Sequence, residues 1–513
     1  MGCMMSSNEN IEEKETKNIN SKPPVADESE EDDGTQMNSA KRVKLTHGIE
    51  AEEKNVESST TKLNDENAMA TNSNSTSKDS IHLSANGDML TKSDDNVSTD
   101  NNSKPDGIPP VCKFDKADRG TIDYLQGSRL FLAPMVRIGT LPMRLVSLQH
   151  GASLVWGPEI IDRAVIESQR VVLGNEEDGT KLVNFVDKAG KLVFQAHEME
   201  KSRLVYQIGT SDADLAVKAA KKVMHDVAAI DLNCGCPKSF SIKGGMGAAL
   251  LRILTALVRE IPLPISCKIR LLETDEKTAV LVKRILDTGI SCLTVHGRTK
   301  DMRSSEPALY ERIRKVVETV RGYEAELAER GEKRDRVVLV ANGDCTWASD
   351  AASIVEKTGV DAVMVARGAE SNPTCFSKQR PANPSQLPVE EHDGNKEEEG
   401  FAHQYVKIAR AVNNNLTNSK YVLSASSLFP TLGKKARNQF RQGLHSSNTY
   451  QEIFDVFGIK FGGEQGQEQN DDGEEKWKNL VGDDPVKIRE FILATCPRLG
   501  EIPPYQKPRG LLQ

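Results

Sequence analysis

No stretch of about eighteen apolar residues occurs anywhere in the 513-residue chain, so no membrane-crossing helix is expected. The start lacks the apolar stretch of a secretory leader. The nine cysteines stand singly apart from Cys234-Gly-Cys236, and there is no CxxC pair to make a zinc knuckle or a thioredoxin-type motif. Free thiols in a reducing, intracellular compartment are the expectation. Aromatics are only 5% of the chain, and residues 1–115 hold almost none. Those residues are dominated by Ser, Thr, Asn, Asp, Glu and Lys, and cannot bury enough apolar surface to offset the entropy of ordering. A disordered acidic tail over residues 1–120 is therefore expected.

The charge balance follows that division. The whole chain carries −8, but residues 1–110 contain 22 acidic against 11 basic side chains, a net −11, which leaves +3 for the remainder. The overall acidity thus belongs to the tail and does not argue against a polyanionic partner for the rest. Two short signals lie in the tail. Lys41-Arg42-Val43-Lys44 has the form of a basic nuclear import signal, although such a cluster also arises by chance. Met1-Gly2 with Ser6 fits a myristoylation pattern, with Cys3 available for a second acyl chain. Cytoplasm and nucleus are the expected locations.

Order is expected from about Leu125. Eight short apolar runs follow, at Arg129–Ala133, Ser153–Trp156, Leu204–Ile208, Ala228–Leu232, Ile265–Ile269, Cys292–Val295, Val337–Val340 and Ala362–Val365. They are continuous rather than alternating, as parallel strands buried on both faces read. Helical segments fall between them, at Pro142–Leu148, Asp212–His225, Ile253–Arg259, Thr278–Thr288, Ala308–Arg330 and Ala348–Lys357. The array spans about 240 residues, which suits a (β/α)8 TIM barrel over residues 125–380. An insertion, Lys181–Gln195, reads as a hairpin around Asp187-Lys-Ala-Gly190. A polar linker is expected over 381–400 and a helical domain over 401–513. Residues 401–460 carry eight basic against two acidic side chains, with Lys434, Lys435, Arg437 and Arg441 on about two turns. An acidic loop, Glu464–Glu475, precedes a last helix near Val486–Thr495.

Barrel enzymes place their chemistry at the C-terminal ends of the strands. Here those ends carry Ala133-Pro134-Met135, Gly157-Pro158-Glu159, Gln207, Asn233-Cys234-Gly235-Cys236-Pro237-Lys238, Lys268 with Arg270, His296-Gly297-Arg298, Asn342-Gly343-Asp344 and Ala366-Arg367-Gly368. Turn formation alone would select Gly, Asp and Asn; it would not bring a Lys, a His, an Arg and a Cys to one face. The last two ends suit a phosphate, since glycines let backbone N–H groups approach an anion and Arg367 adds a fork. Lys268 in a strand needs a partner, either a bound polar cofactor or a neighbouring carboxylate. Cys236 lies in a Gly/Pro-framed loop near Lys238 and Lys243, which would lower a thiol pKa. The bland alternatives are a small buried hydrophobe for the cysteine and a satisfied core histidine for His296.

Six motifs in this order resemble the tRNA-dihydrouridine synthase family. They are Ala133-Pro-Met135, Asn233-x-Gly-Cys-Pro237, Lys243-Gly-Gly-Met-Gly-Ala248, Lys268-x-Arg270, Val295-His-Gly-Arg298 and Ala341-Asn-Gly-Asp344. The run from Leu132 to Arg144, with Leu416-Thr-Asn-Ser-Lys-Tyr421, is most similar to the eukaryotic branch acting on position 20 of cytoplasmic tRNA. The resemblance covers residues 125–460 and implies an FMN-containing barrel followed by a helical tRNA-binding domain, a monomer without metal. The implied reaction reduces the C5–C6 bond of uridine with electrons from NADPH. It also implies that Ala133, Pro134 and Met135 flank the flavin ring, that Gln207 and Lys268 hydrogen-bond it, and that His296 lies near it. Asn342, Gly343, Asp344, Ala366 and Arg367 would hold the ribityl phosphate, Asn233 and Arg270 the uracil, and Cys236 would protonate C5. Lys434, Lys435, Arg437 and Arg441 would meet the tRNA backbone.

Three departures from the family accompany the resemblance. Cys234 stands where relatives carry Met, a second thiol two residues from the acid. No double-stranded-RNA-binding domain of the animal type is found in 461–513. The stretch after Leu250 is shorter than in relatives by one or two helical turns, so Leu251–Pro262 is expected to make a strained crossover below the cysteine loop. Two other functions fit part of the pattern. One is a flavin barrel acting on a small molecule, such as a dihydroorotate dehydrogenase-like protein, against which the basic helical segment argues; the other is a tRNA-binding protein impaired in catalysis.

Overall fold

Eight parallel strands, each followed by a helix, close on themselves. The computed structural model describes residue 122 and residues 129–235, 248–378, 400–426, 434–459 and 473–511. The expected acidic tail with its two signals, the loop from Cys236 through Gly247, nearly all of the 381–400 linker and most of the acidic loop lie outside the described residues. The strands are β1 (Leu130–Leu132), β2 (Leu154–Trp156), β3 (Leu204–Gly209), β4 (Ala229–Asn233), β5 (Ile265–Arg270), β6 (Cys292–His296), β7 (Val338–Asn342) and β8 (Ala362–Val365). Each pairs in parallel with the next, and β1 pairs with β8 to complete the barrel, Phe131 opposite Met364. The eight apolar runs of the sequence match these strands to within a residue or two.

The helices between them are α1 (Leu141–Gln149), α2 (Asp162–Ile166), α3 (Ala213–Val223), α4 (Ala248–Glu260), α5 (Asp275–Asp287), α6 (Tyr310–Glu329), α7 (Asp350–Thr358) and α8 (Arg367–Ser371). Their apolar stripes explain their packing. In α3, Ala216, Ala219, Ala220 and Val223 are buried at the i, i+3, i+4, i+7 positions that make one face. Caps fix where they begin: Asp212 accepts from the Leu215 N–H at 2.9 Å and Thr274 from that of Lys277 at 3.3 Å.

The helix of the expected short crossover begins earlier than the sequence reading placed it. Helix α4 starts at Ala248, five residues before the expected Ile253, and its 13 residues equal the length of α5. Ile253, Leu254, Leu257 and Val258 are buried beneath it as an ordinary barrel helix requires. The glycine-rich motif supplies the extra turn: Ala248-Ala-Leu-Leu251 has high helix propensity and joins the helix rather than the loop.

The insertion after β2 is larger than a hairpin. It is a three-stranded antiparallel sheet of Gln169–Leu173, Leu182–Val186 and Leu192–His197. The turn at Asp187 and Gly190 joins the last two, as expected. The helices after the barrel are α9 (Phe401–Ala411), α10 (Leu416–Ala425), α11 (Lys434–Ser446), α12 (Tyr450–Phe457), α13 (Gly473–Leu480) and α14 (Pro485–Thr495). The end of the expected acidic loop, Gly473–Glu475, is thus the first turn of α13. Helix α1 is buried throughout because α9 and the segment after α14 pack over it. Among the described residues no helix is long and apolar enough to cross a membrane.

Candidate active site

Strand alternation sorts the barrel side chains into two sets. One set faces the helices and is apolar. The other faces the barrel axis and changes character along it. At the N-terminal end the axis is filled by Phe131, Leu154, Val205, Ala229, Cys292, Val340, Ala362 and Met364, a separate apolar cluster. One register step higher the inward positions are Gln207, Asp231, Ser266 and Thr294, all buried. At the C-terminal rim they are Asn233, Lys268, Arg270, His296 and Asn342. The barrel is therefore plugged below and polar above, so a ligand can enter only from the rim.

Asp231 is the centre of the polar layer, and the strand-end pattern does not point to it. It has 0% exposure, accepts from Ser266 Oγ at 2.6 Å and from Gln207 Nε2 at 2.7 Å. A signal for it does exist in the sequence, since an ionisable residue inside the apolar run Ala228–Leu232 is costly unless used. Burial raises its pKa to about 6, against the pull of these donors and of the Lys268 charge. Lys268, facing it from β5, is lowered to about 8 by burial and by Arg270. The Lys268 ammonium donates to no acceptor among the described residues; only the charge of Asp231 favours it. The neighbouring carboxylate is thus a through-space partner and not a salt bridge.

These shifts give a pH signature. A carboxyl with a raised pKa holds its proton longer in the folded state, so its ionisation costs stability as pH rises from its unfolded value near 4 to about 6. In the cofactor-free protein, the difference in unfolding free energy between wild type and Asp231→Asn should slope between about pH 4 and 6, where only the Asp231 carboxyl of the pair titrates. Denaturant melts across pH 4–8 read this directly; a difference that does not change with pH would show that Asp231 is not strained.

His296 lies on β6 opposite Arg270, nearer the rim than Asp231. Burial and the cations Lys268, Arg270 and Arg298 hold its pKa down to about 3, so the ring is neutral. Arg298 NH1 lies 3.4 Å from Nε2 and can only donate, so Nε2 accepts and Nδ1 carries the proton.

The ends of β7 and β8 form one connected unit. Asp344 takes a left-handed backbone at φ 56° and its carboxylate accepts from Arg298, from Arg367 at 2.7 Å and from the Ala308 N–H at 2.6 Å. Gly343, at φ 127°, leaves no room for a side chain: a Cβ there would lie 3.0 Å from Ala308 Cβ. The Gly343 carbonyl is held by the Tyr310 hydroxyl at 2.8 Å and the Asn342 amide donates to Met364 O at 3.0 Å. The expected cradle thus contains a carboxylate of its own. Two arginines against one carboxylate leave it net positive, and the Gly343 and Asp344 N–H groups find no acceptor among the described residues.

On the opposite side of the rim, Asn233 Oδ1 accepts from the Gly235 N–H at 3.1 Å, and Arg270 Nε donates to Gly235 O at 3.1 Å. This pins the start of the loop in which Cys236 lies, itself outside the described residues. Cys234 is partly buried with its Sγ 3.5 Å from Leu232 O; desolvation pushes its thiol well above the ordinary range, so it stays protonated. At the end of β1, Ala133 is buried while Pro134 and Met135 are half-buried at the mouth. Lys434, Lys435, Arg437 and Arg441 are all exposed on α11, away from the barrel interior.

A closed (β/α)8 barrel, plugged below, with a net-positive cradle and a row of titratable residues on one rim, has the architecture of a barrel enzyme. The family model for dihydrouridine synthases matches residues 131–456, and the chain belongs to that family. A relative from Schizosaccharomyces pombe, tRNA-dihydrouridine(20) synthase [NAD(P)+], is 41% identical over 357 residues, covering 67% of this chain and 67% of the relative. The Saccharomyces cerevisiae protein of the same name is 37% identical over 319 residues, covering 58% of this chain and 76% of that one. A second S. cerevisiae relative, tRNA-dihydrouridine(20a/20b) synthase [NAD(P)+], is 28% identical over 253 residues, covering 48% of this chain and 60% of its own.

Proposed function

We propose that the chain reduces the C5–C6 bond of uridine in tRNA to dihydrouridine, at position 20, with FMN as its flavin and NADPH as electron donor. The observation that carries this is the 41% identity to a relative named for that position, together with a family match over residues 131–456 that includes every rim residue described above. The rim fits a flavin on two counts. The Lys268 ammonium is desolvated with no hydrogen-bond acceptor among the described residues, and the β7–β8 cradle is net positive with N–H groups to spare. A flavin held there would supply hydride transfer between NADPH and the uracil, chemistry that no side chain can supply.

This chain's residues do the rest. Gln207 and Lys268 hold the ring, with Asp231 acting as a positioning residue: because Gln207 Nε2 is committed to the carboxylate, its carbonyl oxygen is turned away as the acceptor. Neutral His296 offers its Nδ1 proton as a donor. Gly343, Asp344, Arg367, Asn342 and Ala366 hold the phosphate end, and Ala133, Pro134 and Met135 shield the ring from water. Asn233 and Arg270 orient the uracil, which must leave the tRNA stack to enter a pocket open only at the rim. Cys236 would supply the proton that C5 needs. Helix α11 meets the phosphate backbone and supplies affinity rather than sequence reading.

Flavin content is the first test. Protein purified and then denatured should release FMN, in about one equivalent after supplementation. Release of FAD, or no retention of either flavin, contradicts the cofactor assignment.

The α11 surface is tested by the joint variant Lys434→Glu, Lys435→Glu, Arg437→Glu, Arg441→Glu. It should keep its flavin, bind tRNA more weakly, and lower the salt slope of log K by about 0.7–0.9 for each phosphate no longer neutralised. Unchanged affinity and slope would exclude this helix from the interface.

A further inference from the structure

We propose that Arg137 and Tyr421 form a stacking platform for an unpaired base of the RNA, next to the pocket mouth; this rests on the reading that the substrate is tRNA. The two side chains come from distant parts of the chain. Arg137 follows Met135 in the β1–α1 loop and Tyr421 lies on α10. The guanidinium carbon sits 5.2 Å from the centre of the Tyr421 ring. Both side chains are exposed, and no carboxylate among the described residues pairs with Arg137.

Three observations indicate that this pair serves a ligand rather than the fold. The first is backbone conformation. Arg137 lies at φ 68°, a left-handed position that glycine takes without penalty and a long side chain does not. The arginine contributes little burial in return. The second is rigidity. Asn418 Nδ2 donates to Arg137 O at 2.7 Å, the Gly139 N–H donates to Met135 O at 2.9 Å, and buried Arg144 donates to Gly139 O at 2.7 Å. The loop and α10 are thus joined by groups other than the platform itself, which they present in a fixed orientation. The third is surface chemistry. Val136, between Met135 and Arg137, is 63% exposed and Tyr421 39%. A guanidinium backed by a ring offers a flat, cationic face, and the helix that follows α10 carries four exposed cations.

Flat, cationic and partly apolar is the chemistry that recognises a nucleobase with its phosphate. A carboxylate would use the guanidinium edge and would gain nothing from the ring behind it. Because Arg137 stands only two residues beyond Met135 at the mouth, the base held here is a neighbour of the flipped uridine and not the uridine itself. The platform would hold the strand open beside the pocket, which is where a flipped base needs compensation for its broken stack.

The test uses the full chain loaded with flavin, a labelled unmodified tRNA transcript, and the variants Arg137→Gly, Tyr421→Ala and Tyr421→Phe. Loss of one stacked base corresponds to about 5- to 150-fold in Kd. Arg137→Gly and Tyr421→Ala should each weaken binding by at least about fivefold, and the double variant by no more than the worse single one, since either loss dismantles one platform. Tyr421→Phe should bind as wild type. Tyr421→Ala should leave the salt slope unchanged, unlike the α11 variant. Arg137→Gly should melt at or above the wild-type temperature, because the left-handed strain is gone. Unchanged Kd for both variants, in a protein whose wild type binds tRNA, overturns the platform and leaves the proposed function standing. A fall in melting temperature of Arg137→Gly that matches its loss of affinity makes the role structural and also overturns it. A wild type that binds no tRNA removes both.

Discussion

Cys236→Ala should slow reduction of uridine in tRNA by about 10²-fold or more, the usual scale for loss of a general acid, while NADPH still reduces the bound flavin at the wild-type rate. The two half-reactions separate because only the second needs a proton at C5. Cys236 lies one residue beyond Gly235, whose N–H and carbonyl are held by Asn233 and Arg270. The chain is therefore held at Gly235, on the rim between β4 and β5. Cys234→Met should be nearly neutral. That thiol is kept protonated by burial and its Sγ already leans on Leu232 O. Rapid-mixing absorbance of the flavin follows both halves; equal slowing of both, or a larger effect at Cys234, would remove Cys236 as the acid.

Glu200→Ala should cost about 3–5 kcal/mol of unfolding free energy, the range for a buried ion pair that loses one partner. Arg144 and Glu200 are 1% and 0% exposed and meet through two hydrogen bonds of 2.8 and 2.6 Å. The guanidinium also donates to Gly139 O and to Gln195 O, both at 2.7 Å. One side chain thus ties together α1, the β1–α1 loop and the inserted sheet. Removing Glu200 leaves a cation without its counter-charge in a site closed to water. Urea unfolding measures the loss. Arg144→Leu with Glu200→Leu should cost less than Glu200→Ala alone, since hydrophobic replacement of both charges removes the desolvation penalty. A single variant within about 1 kcal/mol of wild type would show that the pair is not buried in solution.

The barrel was legible because its strands bury both faces, and continuous apolar runs with helical stripes between them have few other solutions. The rim was legible because Lys268 and His296 interrupt apolar strands, where an ionisable side chain is costly unless it has a partner. The strand Gln169–Leu173 was not legible. It is an edge strand with three of its five residues exposed and carries neither a continuous run nor a regular alternation. The start of α4 was misplaced because Gly244–Gly247 reads as loop, and the helix begins only one residue later. Glu200 left no local mark, since its role depends on Arg144, 56 residues away. The carboxylate of Asp344 reads from sequence as part of a phosphate cradle, and the structure adds that it gathers Arg298 and Arg367 together. Arg298 was visible at the end of β6, but its partners across the rim were not.

The most direct test is mass spectrometry of one substrate. An unmodified tRNA transcript is incubated with the flavin-loaded protein and NADPH, digested, and its fragments are weighed. The account predicts a gain of about 2 Da confined to the fragment containing uridine 20, from one hydride and one proton added across C5–C6, absent without NADPH. A transcript whose every fragment keeps its mass, with flavin bound and NADPH present, would contradict it.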